Sequence, residues 1–124
     1  MKNDPFTKEI PDLDDDFLSR VVACIKEHLG DTDFSVELLG SEIGFSRSQL
    51  YRKILSLTGF VPNELIRNLR LKQAARMFQE GHSNITRVLY TVGFNSPSLF
   101  SRQFHALFGM NPSEYLKQYR DSSK

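Results

Sequence analysis

Apolar side chains recur at helical spacing along almost the whole chain. Phe17, Leu18, Val21, Val22, Ile25 and Leu29 follow a rhythm of three to four residues, and Gly30 comes after them as the expected stop of a first helix. The same rhythm predicts six further helices, near residues 35–43, 47–58, 62–79, 84–92, 97–108 and 112–120. Residues 1–13 carry two prolines and mixed charge without any period, which reads as a leader or linker. No stretch shows the two-residue alternation of a half-buried strand. The predicted fold class is all-α, with seven helices.

The residues between these segments support that reading. Ser46 and Gln49 have the spacing of a capping box, and Asn111 with Glu114 repeats it with an asparagine cap. Pro62, Pro97 and Pro112 each fit a first helical turn, where a missing amide donor costs nothing. Gly59, Gly81 and Gly109 fit the left-handed position just past a helix end.

An internal repeat emerges from the same punctuation. Gly44-Phe45 returns as Gly93-Phe94, and Arg52, Ile54, Gly59 and Pro62 return as Arg102, Phe104, Gly109 and Pro112. Each copy reads as a short helix, a glycine-containing turn, a second helix and a Gly-x-x-Pro exit, which is a helix-turn-helix. The first lobe is expected over residues 14–61, a linking helix over 62–80, of which 62–79 would span ~27 Å, and the second lobe over 81–124.

A helix that reads DNA needs an apolar side against its brace and a polar or cationic side for the major groove. In the first copy Ile43, Leu50, Ile54 and Leu57 supply the apolar side, and Arg47, Ser48, Gln49, Tyr51, Arg52 and Lys53 the polar one. In the second, Val92, Leu99, Phe100, Phe104 and Leu107 are the expected buried set. Ser96, Ser98, Ser101, Arg102, Gln103 and His105 are the expected exposed set. A single surface arginine would mean little. Arginine at matched points of both second helices, Arg52 and Arg102, points to guanine recognition through its planar fork.

Composition narrows the class. The chain of 124 residues is 40% apolar and 25% charged with a mean hydropathy of -0.37, which is ordinary globular composition. One cysteine excludes a disulfide framework and a multi-cysteine zinc site, and no apolar run approaches the ~18 residues of a membrane span. A reducing cytoplasm is the expected compartment, with no membrane contact. The net charge of +1 hides a division: residues 1–33 carry four Lys and Arg against nine acids, whereas residues 34–124 carry twelve against six. A basic body suits a polyanion.

The run Val92-Gly93-Phe94-Asn95-Ser96-Pro97-Ser98-Leu99-Phe100-Ser101-Arg102-Gln103-Phe104, with Phe108-Gly109-Met110-Asn111-Pro112-Ser113-Glu114-Tyr115, resembles the DNA-binding domain of the AraC/XylS family of transcription regulators. The likeness covers about residues 14–120. Ile43-Gly44-Phe45-Ser46-Arg47-Ser48-Gln49-Leu50-Tyr51-Arg52-Lys53, with the lead-in Asp31-Thr32-Asp33-Phe34-Ser35-Val36, is similar to the output domains of hybrid two-component regulators.

The resemblance implies two homeodomain-like three-helical lobes joined by a long central helix, with both recognition helices entering successive major-groove segments. Carried over by position, it places base contacts on Ser48, Tyr51 and Arg52, and on Pro97, Ser98, Ser101 and Arg102, where Pro97 can offer only apolar contact. Phosphate contacts are expected from Ser46, Arg47, Lys53 and Ser96, and from helix amino ends. Double-stranded DNA is the implied partner, RNA polymerase a candidate one, and no cofactor is needed. The chain reads either as a self-sufficient small regulator or as the end of a longer one; on the hybrid resemblance, a missing upstream portion would carry sensing and phosphotransfer, and dimerisation too. The family keeps a small residue four before the turn glycine. Gly40 obeys this, but its counterpart is Leu89, a bulky residue expected to push the helices apart or turn outward.

Other signals are weak. Asp12, Asp14 and Asp16 open like a calcium loop, but Phe17 and Ala23 stand where glycine and glutamate are required, so a helix-start charge cluster is favoured. His28, His82 and His105 show no metal-ligand spacing with one another or with Cys24, which reads as a core thiol. No catalytic constellation is present, and no metal site is expected. Arg67, Arg70, Lys72 and Arg76 read as an exposed face or as partners of acids. The rival function is a helical protein–protein interaction module, which would need an exposed apolar patch.

Overall fold

The computed structural model describes the backbone of residues 12–122, so most of the expected leader, residues 1–11, lies outside the described residues. Seven helices follow in order: α1 (Asp12–Glu27), α2 (Val36–Ile43), α3 (Arg47–Thr58), α4 (Pro62–Gln79), α5 (Ile85–Thr91), α6 (Pro97–Phe108) and α7 (Pro112–Ser122). The all-α fold of two helix-turn-helix lobes joined by a long central helix is thus the observed one. No strand occurs among the described residues.

Local chemistry explains the borders. Ser46 Oγ accepts from the Gln49 amide at 3.2 Å while Gln49 Oε1 accepts from the Ser46 amide at 2.8 Å, the reciprocal pair that the spacing implied. Asn111 and Glu114 do the same ahead of α7, at 2.9 and 3.0 Å. Glu64 reaches back to the Val61 amide at 3.0 Å, a half-box invisible to a search for polar caps because Val61 has none to offer. Pro62, Pro97 and Pro112 each open a helix, and α1 begins at Asp12.

The chain divides into two compact units. The first holds the chain through His28 and Asp33–Ile66; the second holds Leu29–Thr32 and the chain from Arg67 onward. In the first, α1, α2 and α3 enclose Leu18, Val21, Ile25, Leu39, Leu50 and Ile54, with Phe17 set edge-on to Phe45 at 4.9 Å between ring centroids. In the second, Leu71, Ala75 and Phe78 of α4 pack with Val88, Phe100, Phe104 and Tyr115. Phe104 stands at its centre, with Phe78 at 5.8 Å and Tyr115 at 5.3 Å.

The repeat extends further than its turn motifs. Fifty residues after Val21 and Ile25 of α1 come Leu71 and Ala75 of α4, and all four are buried. Leu65 and Ile66 are matched in the same way by the buried Tyr115 and Leu116 of α7. The start of α4 therefore closes the first unit as α7 closes the second, and the body of α4 serves the second unit as α1 serves the first.

Three expectations need correction. Helix α1 ends at Glu27 and Gly30 is not left-handed; a Cβ on Gly30 would instead come within 3.1 Å of the Thr91 carbonyl, so this glycine serves a close approach and not a cap. Leu89 does not turn outward: it is 1% exposed, inside the second core. A Cβ on Gly40 would stand 2.5 Å from the Phe45 carbonyl oxygen, so the two turns differ in what they tolerate although Phe45 and Phe94 bond back alike, to the Gly40 and Leu89 carbonyls at 2.9 Å. Leu107, expected inside, is 37% exposed, because the core beside it is filled by Phe104 and Phe108.

Candidate nucleic-acid interface

Helix α3 is braced by α2 through its buried Leu50, Ile54 and Leu57. The opposite side is therefore solvent-facing, and Ser48, Tyr51, Arg52 and Leu55 lie along it at helical spacing, all exposed. Tyr51 is 50% exposed, with its hydroxyl available. In the second unit α6 buries Phe100 and Phe104 and presents Ser98, Ser101, Arg102 and His105 at the same four register positions. Ser98, Arg102 and His105 are exposed and Ser101 is half-buried. Arg52 and Arg102 make no hydrogen bond or ion pair among the described residues, so both guanidinium forks are available to a ligand.

Leu55 and His105 complete these stripes and were not singled out as contacts. The signal that finds them is the period itself, since each stands one turn beyond the matched arginine. Pro97 opens α6 with its ring exposed.

The four residues expected at phosphates are placed unequally. Ser46 and Ser96 use their hydroxyl oxygens as helix caps, each accepting an amide at 3.2 Å, from Gln49 and Leu99, which leaves the hydroxyl hydrogens for donation. Ser96 Oγ also stands 3.5 Å from Ser98 Oγ. Arg47 is paired with Glu37 of α2 on an open surface. Lys53 is drawn toward α1, its Nζ 4.9 Å from the centre of the Phe17 ring, and it lies off the exposed stripe. Of the central basic residues, Arg70 is an intramolecular partner, donating to the Gly93 carbonyl at 2.7 Å and the Asp31 carbonyl at 2.9 Å. Arg76 is exposed.

One further grouping was not anticipated from histidine spacing: Cys24, His28 and Glu42 meet in the first unit. Burial, then the neighbouring Glu42, push the Cys24 thiol up to about 11, so it stays protonated at neutral pH and is a poor nucleophile, as a core thiol should be. The hydrogen bonds from His28 and Cys24 hold the Glu42 carboxyl below its ordinary range.

No helix among the described residues is long and apolar enough to cross a membrane. Residues 39–118 match the family model of a helix-turn-helix domain. The chain is 35% identical over 112 residues to histidine kinase P4 of Formosa agariphila, covering 90% of this chain and 8% of that protein. It is 33% identical over 91 residues to the probable transcriptional regulator LumQ of Photobacterium leiognathi, covering 73% of this chain and 36% of that one. The chain thus spans about a third or less of the curated relatives it matches. The crystal structure of a transcriptional regulator with an AraC-type DNA-binding domain from Chromobacterium violaceum superposes with a TM-score of 0.76 at 26% identity, covering 82% of this chain and 89% of that one. The chain belongs to the helix-turn-helix domain family and is a DNA-binding domain of the AraC/XylS-like or response-regulator type.

Proposed function

We propose that this domain is the DNA-reading end of a hybrid two-component regulator, with base contacts from Ser48, Tyr51 and Arg52 on α3 and from Pro97, Ser98, Ser101 and Arg102 on α6. The observation that carries this reading is the matched register: 48, 51 and 52 recur as 98, 101 and 102, on solvent-facing sides of two helices whose opposite sides are buried. Serine and tyrosine hydroxyls can serve bases or phosphates, whereas the arginine forks supply the strongest base discrimination. The likeness to a histidine kinase of Formosa agariphila supports a sensing and phosphotransfer portion elsewhere in the protein, which would also carry dimerisation. Occupying a promoter-proximal site would bring the domain to RNA polymerase.

Helix α4 runs unbroken for 18 residues between the two helix-turn-helix motifs, so one chain carries two reading helices. Selection from random duplex DNA is expected to return two short, dissimilar blocks about one turn, ~10 base pairs, apart. Inserting about half a turn between the blocks should abolish specific binding by the monomer. Undiminished binding to the lengthened site overturns the two-helix reading.

Phosphate contacts are assigned to Ser46, Arg47, Lys53 and Ser96, and the Arg47–Glu37 pair gives that assignment its own test. A surface ion pair is worth at most ~1 kcal/mol, so phosphate can displace Glu37, but at a cost. Glu37→Gln is expected to strengthen binding to any duplex by about 2- to 5-fold. If the pair keeps Arg47 from phosphate in the native domain, the same variant steepens the salt dependence by a slope of about 0.9. No change on either count removes Arg47 from the phosphate set.

A further inference from the structure

Three side chains with metal-ligand chemistry meet on α1 and α2, not on α3. Cys24 lies in the last turns of α1, His28 follows one helical turn later, just past the helix end, and Glu42 sits in the last turn of α2. Cys24 Sγ donates to Glu42 Oε1 at 3.5 Å, and His28 Nε2 stands 3.2 Å from the same oxygen and 3.1 Å from Oε2. Sulfur, nitrogen and carboxylate oxygen all fall within 4.8 Å of one another. The His28 ring stacks on Phe34 with centroids 4.6 Å apart and planes 6° apart, which holds Nε2 toward Glu42.

These separations are close to what a tetrahedral ion imposes. With Zn–S of ~2.3 Å and Zn–N or Zn–O of ~2.0–2.1 Å, ligand atoms stand about 3.3–3.6 Å apart. The sulfur–oxygen edge already has that length, and the nitrogen–oxygen edge is within a few tenths of an ångström of it. Only the sulfur–nitrogen edge must shorten, by no more than about 1.2 Å. The sulfur is buried, whereas the His28 and Glu42 side chains are 29% and 45% exposed, so one side of the trio opens to solvent for entry and for a fourth ligand.

The repeat supplies an internal comparison. The positions matching Cys24, His28 and Glu42 in the second lobe are Ala74, Phe78 and Thr91, and Ala74 and Phe78 belong to the second core. The same helical scaffold is thus built there without this polar trio, so the fold itself does not require it.

We propose that Cys24, His28 and Glu42 form a site for a zinc-class divalent ion, bound by thiolate, imidazole and carboxylate with water as the fourth ligand. One soft sulfur, one imidazole and one carboxylate suit zinc and exclude the oxygen-rich shells of calcium and magnesium. On binding, the Cys24 S–H bond breaks, a sulfur–metal bond forms and the proton leaves to solvent, with no change of oxidation state. The ion ties the end of α1 to the end of α2, the helix that braces α3, and so stabilises the first lobe by an amount that grows with the logarithm of free ion above its Kd.

Titrating the reduced, metal-free chain with Co2+ tests this. One cobalt per chain is expected, with the visible bands of a tetrahedral ion and a thiolate-to-cobalt charge-transfer band, both bleached by Zn2+; zinc alone raises the melting temperature. Cys24→Ser should lose the charge-transfer band. His28→Gln and Glu42→Gln, at half-exposed positions and checked for native helicity, should each weaken cobalt binding by roughly 10- to 100-fold, the loss that even supporting partners of a metal site produce. No charge-transfer band in the wild-type chain, or an affinity unchanged in either variant, overturns the site and leaves the trio as a hydrogen-bonded contact.

Discussion

Replacing Arg52 or Arg102 by alanine is expected to cost about 1–3 kcal/mol on the preferred DNA site, roughly 5- to 150-fold in affinity, and to relax selectivity at one base position in each case. Both guanidinium groups are exposed and uncommitted among the described residues, and each sits above a buried apolar side that fixes the helix carrying it. Arg76→Ala, on α4, removes the same charge from an exposed position off both stripes and is expected to do little on either specific or random DNA. Charge alone predicts a different result: three similar losses, equal on every sequence, each with a shallower salt dependence. Binding must be compared at one ionic strength on selected and random duplexes. The three variants must also share wild-type helicity and melting, so that unfolding is not read as a lost contact. Equal losses for all three on both DNAs would falsify base reading by these arginines.

That prediction leans on a register that is legible in the sequence for a physical reason. Helix borders here are set by local groups within three residues of one another: Ser46 with Gln49, Asn111 with Glu114, and prolines at first turns. Local rules therefore place α3 and α6 to the residue, and with them the exposed stripes. Where a residue's role depends on a distant partner, the pattern misleads. Gly30 looks like a helix stop, yet what crowds it is the Thr91 carbonyl, 61 positions away in sequence, 3.1 Å from where a Cβ would stand. Leu107 has helical spacing with the core residues, but aromatic rings from α4, α6 and α7 already fill that space.

The candidate sites divide along the same line. An exposed face is the complement of a buried one, so Ser48, Tyr51, Arg52 and their matches follow from periodicity alone. Arg70 cannot be separated from Arg67 or Arg76 by any local signal, because its partners are the Gly93 and Asp31 carbonyls, 23 and 39 residues away. The trio of Cys24, His28 and Glu42 joins one local relation to one long-range relation. Against the expectation from spacing, Cys24 and His28 converge across one helical turn, and Glu42 joins them only through the packing of α2 against α1.

Gly93→Ala is expected to destabilise the second lobe by about 2–4 kcal/mol, well beyond an ordinary glycine substitution. The residue is buried at φ 97°, and an added Cβ would fall 2.2 Å from the Leu29 carbonyl oxygen and 2.7 Å from Arg70 Nη1. Gly44, its counterpart in the first lobe, has φ 83° and nothing within 4 Å of where a Cβ would stand, so Gly44→Ala carries only the left-handed backbone penalty of about 1–2 kcal/mol. The pair separates backbone strain from close approach at one point of the repeat. Arg70→Met then tells which neighbour matters. It removes the hydrogen bonds to the Gly93 and Asp31 carbonyls and the flexible obstacle, but not the Leu29 carbonyl. If the carbonyl dominates, Gly93→Ala should cost nearly as much in the Arg70→Met background as in the wild type. Chemical denaturation of the whole chain measures the losses, and amide exchange over residues 29–32 reports whether that segment is released from the second unit. Equal losses for Gly93→Ala and Gly44→Ala would show that the close approach carries no energy and that strain alone explains both glycines.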